Sequence, residues 1–297
     1  VPNKIVLEWI RAHCQSRLEG RLASLAGGPV ALDFQLRESA PPPPPPATTF
    51  APAQSDIPFS ELNPRYTFDS FVVGAHNRYA HAMAEAVCKS PGRQQMNPFF
   101  IYGGVGLGKT HLMHAIGHEI RRKHARARVL YATAEQFTNE FINSIKDNKP
   151  DNFRGKYRNL DCLMVDDVQF LIAKEKSEEE FFHTFNTLFE SRKQIVISSD
   201  RAPKEMAPQE QRLISRFMWG QVVDIRAPDR ETRIAILRKK AETDGLFVPD
   251  DVIVFLAETI KTNIRELEGS LNRLGFLSAQ SGALLTVDAA REFLADL

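Results

Sequence analysis

Gly103-Gly104-Val105-Gly106-Leu107-Gly108-Lys109-Thr110 satisfies G-x-x-x-x-G-K-[ST] and follows the apolar run Pro98 to Tyr102. A strand emptying through such a loop into a helix is a phosphate cradle. Gly103, Gly104, Gly106 and Gly108 let backbone N–H groups turn inward, Lys109 reaches the phosphates, and the Thr110 hydroxyl can ligate Mg²⁺. Cys162-Leu163-Met164-Val165-Asp166-Asp167 is an apolar strand ending in paired carboxylates. Asp166 suits Mg²⁺, directly or through water, and Asp167 suits polarisation of an attacking water. Ile195 to Ser198 runs into Ser199-Asp200, where either side chain can sense a γ-phosphate or a water. Arg212 and Arg216, four residues apart, share one helical face. An arginine there answers charge on a transferred phosphoryl group, from its own subunit or a neighbour. A pair of solvent-facing salt-bridge formers is the plainer alternative, and Arg265 in Asn263-Ile264-Arg265-Glu266-Leu267-Glu268-Gly269 poses the same choice.

The elements that must position these groups read as an α/β module. Strands are expected at 99–102, 128–132, 162–165, 194–198 and 222–225, separated by helical patterns long enough for right-handed crossovers. Unbroken apolar runs such as Leu163-Met164-Val165 suit a parallel sheet covered on both faces. After Pro228 only helical periodicity remains: 231–243, 250–259, 264–278 and 287–294, an all-helical lid. Ala173-Lys174-Glu175-Lys176-Ser177 reads as a charged turn ahead of a helix over 178–190. Pro41 to Pro46 are consecutive, so 39–60 is a Pro-rich flexible linker, partly stiff where polyproline II prevails. It separates an α/β nucleotide-binding part (61–226) and its lid (227–297) from a short N-terminal piece (1–38). That piece has a helical pattern from Ile5 through Trp9 and Ile10 to Leu25, then a strand candidate at Val30 to Leu36, a partial α/β domain.

With 297 residues and a formal net charge of +1, no whole-molecule field selects nucleic acid, so any such contact rests on local patches. No run approaches the 18 apolar residues of a membrane span. The three cysteines, Cys14, Cys88 and Cys162, are widely spaced and odd in number, which fits a reducing cytoplasm rather than a disulfide framework.

Several segments in combination resemble the bacterial chromosomal replication initiators, the DnaA family of AAA+ ATPases. They are Asn63-Pro64-Arg65-Tyr66-Thr67-Phe68-Asp69-Ser70-Phe71-Val72-Val73-Gly74, Phe153-Arg154-Gly155-Lys156-Tyr157-Arg158, Val165-Asp166-Asp167-Val168-Gln169-Phe170, Glu180-Phe181-Phe182-His183-Thr184-Phe185-Asn186, Ser198-Ser199-Asp200-Arg201 and Arg265-Glu266-Leu267-Glu268-Gly269. The resemblance implies a five-stranded parallel AAA+ sheet with a helical lid, binding ATP or ADP with Mg²⁺ and hydrolysing ATP slowly. Tyr66, Val72, Val73, Asn77 and His111 would border the nucleotide. Arg216 would be the arginine finger for the next subunit, Arg212 its interface neighbour, and Arg265 the lid sensor. The segment 135–158 would be the helical insertion that favours a helical oligomer, and Ile142, Lys174 and Lys176 would grip single-stranded origin DNA.

The same resemblance implies origin unwinding, contacts to the replicative helicase and regulatory proteins, a possible acidic-phospholipid contact without any integral membrane segment, and a cytoplasmic, nucleoid-associated protein. Lys176 stands where arginine is common, and Gln211 where an acidic residue is. The matching stretch is expected to stop before a C-terminal helix-turn-helix that reads duplex origin sites, and to begin midway through the N-terminal interaction domain. Two other readings are a helicase loader or adaptor, and a degenerate nucleotide-binding scaffold. The intact Lys109, Asp166, Asp167, Arg216 and Arg265 speak against the scaffold, and the 135–158 insertion speaks for an initiator over a loader.

Overall fold

Phe99 to Tyr102 (β1) alternates its side chains between two faces, and every strand beside it does the same. The computed structural model describes residues 15, 19, 22–23, 28–32, 62–171, 174–206, 211–281 and 285–295. Arg78–Lys89 (α1) precedes β1, and Lys109–Lys123 (α2) follows the glycine loop. Then come Val129–Thr133 (β2), Ala134–Lys146 (α3), Pro150–Arg158 (α4) and Cys162–Asp166 (β3). Glu175–Glu190 (α5), Gln194–Ser199 (β4), Gln211–Phe217 (α6) and Gln221–Asp224 (β5) complete the sheet. The strand order is β2-β3-β4-β1-β5, parallel throughout.

On one face Phe100, Leu163, Val165, Ile195 and Ile197 pack against Phe137, Phe153, Tyr157, Phe181, Phe185 and Phe217. On the other, Phe99, Ile101, Met164 and Val196 meet Leu112, Met113, Ile116 and the apolar side of α1. Removing a fully buried phenylalanine such as Phe100 from such a layer costs about 3–5 kcal/mol. Register aligns the strand ends that matter: Tyr102 lies opposite Ser199 and Asp224, and Thr133 opposite Asp166.

Beyond β5 the chain is helical: Arg230–Asp244 (α7), Asp250–Thr259 (α8), Ile264–Ser281 (α9) and Val287–Ala295 (α10). Asp229 caps α7 by accepting from the Thr232 amide at 2.8 Å. Leu237, Val252, Leu256, Leu267 and Leu271 make this part's own apolar cluster. The chain divides into units 1–56 and 57–297, so the expected boundary near 226 falls inside the second unit.

Two expectations are corrected. The helix carrying Lys176 starts at Glu175, not Glu178. The Ser177 and Glu178 amides close on the Lys174 carbonyl, and Glu175 and Glu178 in the first turn favour the helix dipole there. Of the strand expected over Val30 to Leu36, residues 30–32 form no strand. The Leu32 amide donates to Glu19 and its carbonyl accepts from Gln15, both side chains rather than a neighbouring strand. Residues 15, 19, 22 and 23 are helical; the pattern from Ile5 to His13, residues 33–36 and the linker at 39–60 lie outside the described residues.

Candidate nucleotide site and single-strand groove

The glycine loop leaves β1 under tight local constraint. Gly103 has φ 154°, and a Cβ there would stand 2.2 Å from the Ile225 carbonyl oxygen. Gly108, at φ 100°, caps α2 in the left-handed region that glycine adopts freely. The cleft above the loop has two adjoining lobes sharing Tyr66, Gly108, His111, Ile264 and Glu268. The first, of 260 Å³, is lined by Tyr66, Phe71, Val72, Asn77 and Ile236, with Lys239 and Lys240 of α7. The second, of 320 Å³, brings together Gly106, Lys109, Thr110, Asp167, Asp200 and Arg265. The first suits a base and sugar; the second, a polyphosphate.

Lys109 is buried, and its ammonium donates to the carbonyls of Gly103 at 2.8 Å and Gly104 at 3.0 Å and to Asp200 at 2.7 Å. Gln169 donates to both Asp167 (3.3 Å) and Asp200 (3.1 Å) and accepts from the Asp200 amide, so lysine, two aspartates and an amide form one chain. Asp167 is a non-glycine residue at φ 56°, an uncommon conformation that aims its carboxylate into the cleft. Burial, and then the charge of Asp166, push its carboxyl above the usual aspartate range.

Asp166 is sequestered behind the cleft, accepting from Thr110 and from the Tyr131 hydroxyl, each at 2.7 Å, and from Ser198. The adjacent Thr110 hydroxyl and Asp166 carboxylate fit Mg²⁺, which takes one or two hard protein oxygens and fills its octahedron with phosphates and water. Among the described residues no group of three or more His, Cys, Asp or Glu suits a metal by itself. The ion therefore fits here as a companion of the nucleotide.

Other expected residues are placed less directly. The Asn77 side chain donates to the Val72 carbonyl and accepts from the Gly74 amide, holding the wall of the first lobe. Val73 is exposed and lines neither lobe. Ser199 is buried, and its hydroxyl accepts from the Arg201 amide, whereas Asp200 enters the cleft. Arg265 lines the phosphate lobe, and the Ile264 amide beside it donates to the Gly106 carbonyl at 3.0 Å, tying α9 to the loop.

Arg212 and Arg216 line neither lobe. Arg216 Nε donates to Asn186 Oδ1 at 3.0 Å, and its guanidinium lies 4.0 Å from the Trp219 ring. Ile142, Lys174 and Lys176 converge with Ile145 and Lys146 on one open groove between α3 and the start of α5.

Sequence reasoning missed Glu268, Gln169, Lys239 and Lys240. Glu268 had a usable signal: it follows Arg265 by three residues and so shares its helical face. Burial raises its carboxyl above the usual glutamate range, partly countered by Lys240. His114 and His118 were missed as well, though with the expected His111, which lines both lobes, they form a readable stripe at spacings of three and four on α2. His111 stacks on Tyr66 with ring centroids 4.8 Å apart, and His114 and His118 hold the backbone of Asn63 at 3.0 and 2.8 Å.

The model of the bacterial DnaA ATPase domain matches residues 62–224. The crystal structure of domain III from the Thermotoga maritima replication initiation protein DnaA is 44% identical, with TM-score 0.77, covering 80% of this chain and 98% of that one. A replication initiator DnaA bound to AMPPCP and single-stranded DNA is 39% identical, with TM-score 0.64 over 72% of this chain and 65% of that one. AMPPCP-bound DnaA from Aquifex aeolicus is also 39% identical at TM-score 0.64, covering 72% and 66%. The chain thus spans about two thirds of the length of those two initiators. The sheet order, phosphate loop and following helices are those of an AAA+ P-loop ATPase, and the chain belongs to the bacterial DnaA ATPase domain family.

Proposed function

We propose that this chain is the ATP-switched module of a chromosomal replication initiator, which assembles on the origin with ATP, engages single-stranded DNA and promotes unwinding. The observation that carries the reading is the convergence of Lys109, Thr110, Asp167, Asp200 and Arg265 on one lobe. A lysine, a hydroxyl, two carboxylates and a lid arginine thereby face the same volume. ATP phosphates would take over the Lys109 ammonium from the loop carbonyls and Asp200, and Arg265 would report γ-phosphate occupancy to α9. Mg²⁺ held at Thr110 and Asp166 would neutralise phosphate charge. Asp167 would orient the attacking water. The 65–66% coverage of the longer initiators leaves helicase, regulator and lipid contacts as parts of the same proposal.

Isothermal calorimetry tests the nucleotide assignment. Lys109→Ala should lose measurable ATP binding, while Asp167→Asn should keep it and lose turnover. Near-normal affinity in the lysine variant would remove Lys109 from the phosphate site. The groove of Ile142, Lys174 and Lys176 supports the DNA assignment, because AMPPCP and single-stranded DNA occur together in a 39% identical initiator. Lysine–phosphate contacts release counterions, so ATP-dependent single-strand binding should weaken with salt. Lys174→Ala with Lys176→Ala should lower that affinity with ATP binding preserved, and equal binding by the pair would refute the assignment.

A further inference from the structure

The nucleotide cleft opens at the carboxyl ends of the parallel strands, leaving the amino ends of β2, β3 and β4 to form the opposite pole. Residues 124–128, 159–161 and 191–193 cross that pole. Among them lies a groove of 570 Å³ whose polar lining is His124, Arg126, Asp161, Arg192 and Lys193. The run Arg121-Arg122-Lys123-His124-Ala125-Arg126-Ala127-Arg128 feeds it and contains no acidic residue. In a chain of net charge +1 such an excess is a local segregation rather than a general surface property.

Most of these cations have local work. Arg121, Arg122 and Lys123 sit in the last turn of α2, where the dipole favours them. Arg121 donates to the Val129 carbonyl at 2.8 Å, and Arg122 and Lys123 pair with Glu119 at 2.7 and 2.9 Å. Arg128 and Lys193 share the single carboxylate of Asp161. Arg126 and Arg192 are exposed and pair with no carboxylate among the described residues. On α7, by contrast, Arg230, Arg238, Lys239 and Lys240 each have an acidic partner.

The backbone under the two arginines is fixed. Fully buried Gln194 accepts from the Gly92 amide at 2.8 Å and donates to the Met96 carbonyl, and Asn97 donates to the Lys193 carbonyl at 2.8 Å. Gly92 runs so close that a Cβ would stand 1.9 Å from the Arg192 carbonyl oxygen. Across the groove, Asp161 and Arg128 exchange two backbone-directed hydrogen bonds of 2.9 Å. Two guanidinium groups on anchored loops lose little loop entropy on meeting a polyanion. The planar fork of arginine matches phosphate oxygens. No large apolar side chain is exposed over 121–128 or 191–193, so the surface lacks the apolar face that buries into a bilayer.

We propose that this pole is a second nucleic-acid contact, gripping the sugar–phosphate backbone without base readout through Arg126 and Arg192, independently of bound nucleotide. It shares no residue with the groove of Ile142, Lys174 and Lys176. The test is fluorescence anisotropy of labelled single-stranded and duplex oligonucleotides over a salt series. The full chain, Arg126→Glu with Arg192→Glu, the milder Arg126→Gln with Arg192→Gln, and Lys174→Ala with Lys176→Ala are compared with ATP, with ADP and without nucleotide.

The glutamate pair should weaken binding about tenfold or more at low salt and flatten the log–log salt slope by roughly 1.4 on single strands and 1.8 on duplex, as for two lost phosphate contacts. The glutamine pair should move both in the same direction by less. These losses should be equal in all three nucleotide conditions, whereas the Lys174/Lys176 loss should require ATP. ATP affinity and melting temperature should stay at the parent values. Unchanged affinity and slope in the arginine variants would overturn the proposal. So would arginine-dependent binding to phosphatidylglycerol vesicles with DNA binding untouched, which would make the pole a lipid-headgroup site.

Discussion

Asp167 is held against its own preference: a left-handed backbone, a half-buried carboxyl raised above the usual range, and the charge of Asp166 next to it. A carboxyl whose pKa rises on folding costs stability once pH exceeds its unfolded value of 3.8, and the full cost is present above its folded value. Asp167→Asn escapes that cost. Its melting temperature at pH 7 should equal or exceed the parent's, and the difference should vanish near pH 3, as scanning calorimetry would show. Turnover should fall by on the order of 10²–10⁴-fold, the ordinary range for a lost general base. A markedly lower melting temperature at pH 7 would make the residue structural instead. The neighbouring Ser199 and Asp200 show what the sequence leaves open at this scale. Two adjacent polar residues at a strand end look alike in one dimension, and only the pairing of Tyr102 with Ser199 shows which one turns into the cleft and which caps its own backbone.

Helix α2 does two jobs with one stripe. Its N-terminus carries Lys109 and Thr110, while His111, His114 and His118 lower on the helix clasp the segment 63–67 that walls the first lobe. Burial pushes His114 down to about 4, and His111 is lowered by burial as well. Both are therefore neutral in the native protein at neutral pH. Where a histidine pKa falls on folding, the unfolded chain gains protons first, so stability is intact above 6.5 and is lost progressively as pH drops toward 4. The melting temperature should decline across that window. His114→Gln, whose amide oxygen can still accept from the Asn63 amide, should decline less steeply. An unaltered pH dependence in this variant would assign the acid sensitivity to other groups. The core strands were legible because three of them are unbroken apolar runs buried on both faces. The start of α5 was not, because Lys174-Glu175-Lys176 has the composition of a turn and only Glu175 and Glu178 at the dipole reveal a first helical turn. The histidine stripe carried helical spacing in plain view, but three of its hydrogen bonds go to main-chain atoms of residues 63 and 67, more than forty positions away, and no sequence pattern names a backbone partner.

Over the whole molecule, the nucleotide cleft contains acid, lysine, hydroxyl and a lid arginine, yet Arg216 stands outside it on the α5–α6 face. Asn186 engages only its Nε, while Trp219 and Phe182 flank the guanidinium at 4.0 and 5.2 Å. A planar cation so braced would suit phosphate oxygens brought by another copy of the chain, the role proposed for it. Exposed Met218 and Trp219 beside it match the residue types enriched at the centres of interfaces. Arg216→Ala should therefore leave the monomer's ATP affinity within about twofold of the parent, because the lost charge lies outside the cis site, and should abolish ATP-dependent oligomers in sedimentation velocity. Asp167→Asn should assemble but not turn over, having an intact arginine and no base. Mixed together, the two inactive proteins should recover activity, since a site on the Arg216→Ala subunit keeps Asp167 and can receive Arg216 from an Asp167→Asn neighbour. Recovery should grow with total protein concentration, as a trans contribution demands, and disappear when Arg216→Ala is also placed in the Asp167→Asn chain. If the mixture stays inactive while co-assembly is seen in the ultracentrifuge, Arg216 does not act across the interface, and the charge that meets the transferred phosphoryl group must come from Arg265 within the same subunit.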